Sequence, residues 1–466
     1  MSDLHELTAA QQLRALRAKE ISSRELTEHY LARIDRLGAE LGAFVTVSAE
    51  SALEEADRAD ERLAAGERPA LLGLPLGIKD LSPTAGIRTT FGSAAMAEFV
   101  PGEDSWAVGL LRQAGAVVLG KTNTPEFGST CYTENDVTPR PSVTPYALDR
   151  YSSGSSGGTA SAVAAGLLPV GHGSDGAGSI RTPAATCHLV GVKPSRGLVS
   201  AAPATSFFVA STEGPIARTV EDAVLLLEVM AHPAPGDLYG WSHPGGFTKT
   251  LQRPLKVAMW TDTGLDQDVD PQAELAVRRT AEVLTGLGHD VREIPLPARW
   301  DEPVRQAIVT WFAYSVGVAV QAMMLQDRTH LLSSYSQQLL SINDTLSAND
   351  IVTSQALLAR YASTMLAGVD DYDVVLTPTT NGAPVPIGYY DGDEAERMLR
   401  WSCHTPWVNL VGVPAVSLPS HVDGESLPHG VHLIGRHRQD ADLLALAAQL
   451  ESAALWEERH PPCWNQ

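Results

Sequence analysis

Apolar and polar positions change their period near residue 70, dividing a helical beginning from an alternating body. Ser22 followed by Glu25 has the form of a capping box, in which each side chain satisfies a free amide at a helix start. Leu26, Tyr30, Ile34 and Leu37 then recur on one face of the predicted helix, and Gly38 is its expected stop. A second amphipathic segment covers residues 49–66, with Leu53, Ala56 and Leu63 set among many acids. Both read as packing helices without chemistry of their own.

Beyond residue 70, short apolar runs alternate with helical stretches. Strands are predicted at 74–78, 116–119, 167–170 and 189–192, with helices at 106–114 and 159–167 between them. The pattern returns at 255–260, 373–378, 415–419 and 429–435. Residues 300–360 are predicted to be helical and carry Trp311, Phe312, Tyr314, Met323 and Met324, either as core or as a cap over a substrate. Strand–helix alternation favours an α/β fold with a parallel or mixed sheet. With neither an internal repeat nor a long linker, one large domain is expected.

Composition narrows the function classes. The chain has 466 residues and a formal charge of −21, so it lacks the basic face that a phosphate backbone requires. Only six residues are lysines: Lys19, Lys79, Lys121, Lys193, Lys249 and Lys256. Cys131, Cys187, Cys403 and Cys463 lie far apart, which argues against a disulfide framework or a structural zinc site. The amino terminus, Met1-Ser2-Asp3-Leu4-His5-Glu6, lacks the basic and apolar regions of a signal peptide, and the stretch around 160–170 is too short to span a bilayer. A cytoplasmic protein with neither nucleic-acid nor membrane partners is expected.

The most unusual segment is residues 151–196. Two glycine-serine blocks, 152–158 and 171–179, flank a small-residue helix and read as turns where backbone comes close to something. Neither block has a P-loop lysine, and no lysine follows a serine at the S-x-x-K spacing. Gly154-Ser155-Ser156-Gly157-Gly158 does contain G-x-S-x-G, which would make Ser156 the nucleophile of an α/β-hydrolase-type esterase. A serine hydrolase with a lysine base is the other option, since a buried lysine can be held neutral. Lys79, Lys121 and Lys193 all end apolar runs, and spacing does not choose among them.

The ordered motifs resemble the amidase signature hydrolases. Gly154-Ser155-Ser156-Gly157-Gly158 followed by Asp175-Gly176-Ala177-Gly178-Ser179-Ile180-Arg181 is similar to that family's central signature. Gly77-Ile78-Lys79-Asp80, Gly120-Lys121-Thr122-Asn123-Thr124-Pro125-Glu126-Phe127 and Gly191-Val192-Lys193-Pro194 extend the likeness. So do Asp373-Val374-Val375-Leu376-Thr377-Pro378, Asn409-Leu410-Val411-Gly412-Val413-Pro414-Ala415 and His432-Leu433-Ile434-Gly435. Nearly the whole chain is covered. The resemblance implies one α/β domain over 1–466, a mixed β-sheet core covered by helices on both sides. Within it, 1–70 is a helical part, 71–220 the signature core and 300–360 an insertion near the substrate.

Carried over by position, the resemblance gives Lys79 as base, Ser155 as a relay serine on a cis peptide and Ser179 as nucleophile. The backbone amides of Gly176, Ala177, Gly178 and Ser179 would form the oxyanion hole, with Ser156, Asp175 and Arg181 in the supporting network. Three departures stand out: Ser152-Ser153 replace a usual Pro-Gly, Ala177 a common glycine, and His188 another. The implied activity is hydrolysis of a small non-peptide carboxylic amide through an acyl-enzyme, with no cofactor or metal, and compatible with a homodimer. The competing reading inside the family is the glutamine-hydrolysing subunit of a tRNA-dependent amidotransferase, although Thr182 stands where that subunit typically has glutamine.

Overall fold

The computed structural model describes residues 3–202, 210–454, 456 and 459–466. Met1 and Ser2 of the amino-terminal motif, and residues 203–209 of the 71–220 segment, lie outside the described residues. Thirteen strands are present among the described residues: β1 (Phe44–Val47), β2 (Pro75–Lys79), β3 (Val117–Thr122), β4 (Val143–Thr144), β5 (Ala147–Tyr151), β6 (Val170–Asp175), β7 (Val190–Lys193), β8 (Thr212–Ala217), β9 (Lys256–Met259), β10 (Asp290–Glu293), β11 (Val374–Pro378), β12 (Ala415–Val422) and β13 (Pro428–Gly435).

Eleven of them form one sheet in the order β1-β3-β2-β6-β8-β7-β12-β13-β11-β9-β10, and β4 pairs with β5 in a separate hairpin. The sheet is mixed. β3, β2 and β6 run parallel, as do β11, β9 and β10, and the strands between these groups are antiparallel. Every residue of β2, β3, β6, β7, β11 and β13 is buried, so both faces of the central sheet are covered. The chain is a single-domain α/β fold.

Local chemistry explains most element boundaries. Ser22 and Glu25 form the capping box that starts the helix Ser23–Arg33. Gly38 does not stop it: the backbone stays right-handed through a π-turn at Ile34–Gly38 and ends at Gly42, whose φ is 58°. The reason is steric, since a Cβ on Gly42 would lie 2.4 Å from Pro141 O. The predicted strand at 167–170 is also displaced. Val170–Asp175 is the strand, so most of the second glycine-serine block is ladder and only Gly176 to Ser179 forms a turn. β1, β8 and β10 are edge or partner strands that the apolar pattern did not reveal.

Residues 302–367 contain the helices Glu302–Ala322, Ser334–Asn343 and Ala348–Ala367. Val316, Val320, Tyr335 and Leu339 pack there with Ala95 and Met96, while Trp300, Ile308, Leu358 and Tyr361 join a cluster with Trp260 and Trp407. The helical segment is thereby anchored at both ends beside the C-terminal ends of the parallel strands, the place where open α/β sheets bind ligands.

Candidate active site

Lys79 is the last residue of β2 and Ser174 and Asp175 end the neighbouring strand β6. The parallel pairing of these strands brings the two ends side by side. Lys79 Nζ lies 2.8 Å from Ser155 Oγ and donates to Ser174 O at 3.1 Å. Lys79 is fully buried and Ser155 is 2% exposed. The Gly154–Ser155 peptide is cis. Burial lowers the Lys79 ammonium to about 7, against the opposing pull of Asp175 and Glu213. An amine with this balance can accept a proton at neutral pH and give it back.

Lys121 and Lys193 are also buried, not solvated strand-end cations, and burial lowers them to about 8 and about 7. Depression of the ammonium therefore does not single out a base; the partners do. Lys121 donates to Ser82 O, Thr84 Oγ1 and Thr89 Oγ1 and lies 3.8 Å from Asp80. Lys193 donates to Pro194 O at 2.8 Å. Lys79 is the lysine that reaches a serine hydroxyl on the cavity wall.

Ser179 sits half-buried in the turn after β6, and Ser155, Ser174 and Ser179 all line one cavity of about 1080 Å³. Among the described residues the Ser179 hydroxyl has no hydrogen-bond partner. The structure thus brings Lys79 and Ser155 into direct contact and sets Ser179 beside them, facing the cavity, without a Ser155–Ser179 bond. Ser156 points elsewhere: it is fully buried, its Oγ donates to Ser174 O at 3.1 Å, and its amide donates to Ser179 O at 3.1 Å. No histidine touches Ser156 among the described residues, which removes the basis for an esterase centred there.

The turn is braced from behind by a buried ion pair. Arg181 Nε and Nη2 both donate to the Asp175 carboxylate at 2.9 Å. Burial by itself disfavours that charge, but the Arg181 guanidinium overrides it and holds the carboxyl well below the usual carboxylate range. Asp175 also accepts from the Gly178 amide at 2.7 Å and the Ile180 amide at 3.1 Å. Of the four amides expected to form an oxyanion hole, Gly178 N–H donates to Asp175, while those of Gly176, Ala177 and Ser179 have no acceptor among the described residues. The positive φ falls on Gly178, at 136°, and not on Ala177, so alanine is accommodated there.

Several contributors carried no role in the sequence reading. Asn409 Nδ2 donates to Asp175 O and Oδ1 at 2.9 Å, and His432 Nε2 lies 3.0 Å from Arg181 Nη1. Burial and Arg181 push the His432 imidazole well below its ordinary range, so it stays neutral and accepts. Thr405 Oγ1 donates to Ala177 O at 2.7 Å. Thr182 Oγ1 donates to Gly154 O at 3.2 Å and receives Ser153 Oγ at 3.0 Å, tying the two glycine-serine blocks together. Asn409 and His432 stood in the family-like motifs at 409–415 and 432–435, Thr182 was noted only as a departure from the amidotransferase pattern, and Thr405 carried no signal.

The other departures resolve on backbone grounds. Ser153 takes φ 65° and His188 φ 56°, left-handed positions where glycine carries no Cβ penalty. Ser153 is held by its bonds to Thr182 and to Cys131 O. His188 lines a separate cavity of about 230 Å³ with Tyr146 and Cys187, away from Ser179. The glycines of the first block are demanded by close backbone: a Cβ on Gly158 would lie 2.3 Å from Asn123 N.

Comparison with known proteins gives the same picture. The amidase family model matches residues 25–444. The chain is 37% identical over 473 residues to AmiB2 of Mycobacterium tuberculosis, a protein named as an amidase, covering 99% of each. It is 33% identical to a glutamyl-tRNA(Gln) amidotransferase subunit from Nitrosococcus oceani, covering 98% of this chain and 99% of that one. Among solved structures, it superposes on 6-aminohexanoate cyclic dimer hydrolase with TM-score 0.90 and 28% identity, covering 99% and 100% of the two chains. A bacterial aryl acylamidase matches with TM-score 0.89 and 28% identity over 98% of both. The chain belongs to the amidase signature family and is an enzyme that hydrolyses amides.

Proposed function

We propose that this enzyme hydrolyses a small, linear, non-peptide carboxylic amide with Ser179 as nucleophile, Ser155 as relay and Lys79 as base. The observation that carries the reading is the buried Lys79–Ser155 contact opening onto the cavity that holds Ser179. Neutral Lys79 takes the Ser155 proton while Ser155 takes that of Ser179, and Ser179 Oγ forms a bond to the substrate carbonyl carbon. The amides of Gly176, Ala177 and Ser179 receive the developing oxyanion. The proton held by Lys79 passes back through Ser155 to the leaving amine as the C–N bond breaks. Water then clears the acyl-enzyme by the same relay.

Aromatic and methionine side chains of the helical segment, including Trp311, Phe312, Tyr314 and Met323, line the cavity and favour an apolar or aryl acyl group. The name of one structural neighbour, an aryl acylamidase, points the same way. The acidic balance of −21 supports a small-molecule partner and not nucleic acid, and the four scattered cysteines support a reducing, cytoplasmic setting; a homodimer is compatible with this reading. Among the described residues no helix is long and apolar enough to cross a membrane.

The relatives named as amidotransferase subunits support a second reading, glutamine hydrolysis in a complex. A panel of primary amides, anilides and glutamine separates the two. The proposal expects partner-independent turnover of an apolar amide, lost in Ser179→Ala, with a fluorophosphonate label mapping to Ser179. Glutaminase activity that emerges only with added partner proteins would replace it.

A further inference from the structure

The cavity beside Ser179 is large for a small-molecule site, at about 1080 Å³. Its charged lining is lopsided. Among the described residues, Glu103, Asp104, Glu213, Glu302, Asp393 and Glu396 contribute six carboxylates, and Arg305 is the single cationic side chain. Residues 203–209, outside the described set, contain no ionisable group and leave this balance unchanged.

Arg305 is also already occupied. It donates to Glu302 on its own helix and lies 3.7 Å from Glu396 on the helix Glu394–Ser402, a carboxylate that also accepts from Arg400 at 2.8 Å, so one guanidinium sits between two carboxylates. Asp104 is paired with Arg112 at 3.2 Å, and Glu213 accepts from Ser82 Oγ. Glu103 and Asp393 are exposed and have no ion pair among the described residues. The remainder of the wall combines aromatic and aliphatic side chains, such as Trp311, Phe312 and Val316, with uncharged hydroxyls such as Ser129 and Ser402.

A substrate carboxylate entering this space meets repulsion from the exposed acids. At Arg305 it competes with the Glu302 and Glu396 carboxylates already beside that guanidinium. Left unpaired against aromatic walls, it loses hydration without compensation. A neutral apolar group loses nothing, and an ammonium finds the free acids Glu103 and Asp393 at the solvent end. The same asymmetry bears on glutamine, whose α-carboxylate has no free cation to meet.

Resting on the amidase reading above, we propose that the cavity selects apolar amides that are neutral or carry an amine. It rejects amides carrying a carboxylate, and the Glu302–Arg305–Glu396 bridge is the specificity determinant. Discrimination of this kind acts by unfavourable charge placement as much as by attraction.

The test uses three p-nitroanilides of matched length at pH 8 and low salt: heptanoyl, 7-aminoheptanoyl and 6-carboxyhexanoyl. The anionic substrate is expected to show kcat/KM at least about tenfold below the neutral one, the gap narrowing as added salt screens the exposed acids. The Glu302→Gln/Glu396→Gln variant releases Arg305 and should raise the anionic-to-neutral ratio by about fivefold or more, and adding Arg305→Gln should abolish that gain. Wild-type ratios within about twofold, or a ratio unmoved by the double substitution, would overturn the charge inference while leaving the amidase reading intact. No turnover of any of the three by folded wild-type enzyme would overturn the reading beneath it, and this inference with it.

Discussion

Glu213 on β8 stands directly opposite Ser174 on β6, the residue whose carbonyl accepts from Lys79 Nζ. The carboxylate therefore belongs to the electrostatic surroundings of the base although it does not touch it. Asp175, the other anion that favours the Lys79 ammonium, is already matched by Arg181. Glu213 is matched by the Ser82 hydroxyl and by His172 Nε2 at 3.5 Å, with no guanidinium beside it.

The pH profile should expose this arrangement. With the neutral Lys79 amine as the proposed base, kcat/KM should fall as pH drops through about 7. Glu213→Gln removes an anion that favours the ammonium, so the acid limb should move to lower pH. A limb that stays in place in the folded variant would show that Glu213 does not act on the base.

Lys79→Arg and Lys79→Met should each reduce kcat by about 10²-fold or more. A guanidinium keeps its proton in a protein and a thioether carries none, so neither can take the Ser155 proton. Circular dichroism and melting curves check that the fold persists. A Lys79→Arg enzyme with near wild-type kcat would remove lysine from the mechanism.

Arg181→Leu leaves the Asp175 carboxylate buried without its cation and should cost about 3–5 kcal/mol in urea unfolding. The sign of the linked pH dependence follows from the lowered folded-state carboxyl. The stability it supplies is present above the ordinary aspartate range, whose reference is 3.8, and is lost as pH falls through the lower folded value. Unfolding midpoints of wild type and variant should converge in acid. A variant as stable as wild type at pH 7 would contradict the role given to the pair.

Gly178→Ala should disturb the turn that carries the proposed oxyanion donors. Its φ of 136° is poor for any side chain, and the new Cβ would lie 2.3 Å from Thr405 Oγ1, the group that donates to Ala177 O. The expected result is a drop in kcat of about tenfold or more with a smaller change in KM, since the donors act on the transition state. An unchanged kcat would show that the loop tolerates the methyl group.

The amino- and carboxy-terminal segments meet at a histidine stack that should report on acid. His5 Nδ1 lies 3.1 Å from His29 Nε2, and its other nitrogen meets Trp464 O at 3.1 Å. Burial, then Arg33 and His29, lower His5 to about 4 from a reference of 6.5. The folded state therefore disfavours the imidazolium, so stability is fully present above about 6.5 and declines as pH falls toward about 4. His5→Phe should flatten the wild-type loss of urea midpoint between these pH values; an unaltered slope would assign that loss to other groups.

Much of this enzyme was legible in one chain. The capping box at Ser22 and Glu25 is visible because its bonds span three residues. Most central strands were visible because burial on both faces demands apolar runs. The order of the motifs named the family and brought Lys79, Ser155 and Ser179 forward as candidates.

Tertiary structure decided the rest, because it depends on partners distant in sequence. Three lysines have the same local pattern and similar burial, and only the tertiary fold sets Lys79, at the end of β2, against the hydroxyl of Ser155, 76 positions away in the loop before the helix Gly157–Ala164. The Gly178 amide looked as free as its neighbours until the Asp175 side chain folded back onto it. Gly38 was the expected helix stop, but the chain stays right-handed to Gly42, where Pro141 comes close and leaves no room for a Cβ. Local propensity and burial pattern are written in adjacent residues, whereas the protonation state of a base and the availability of an amide are set by desolvation and by groups that meet only when the sheet closes.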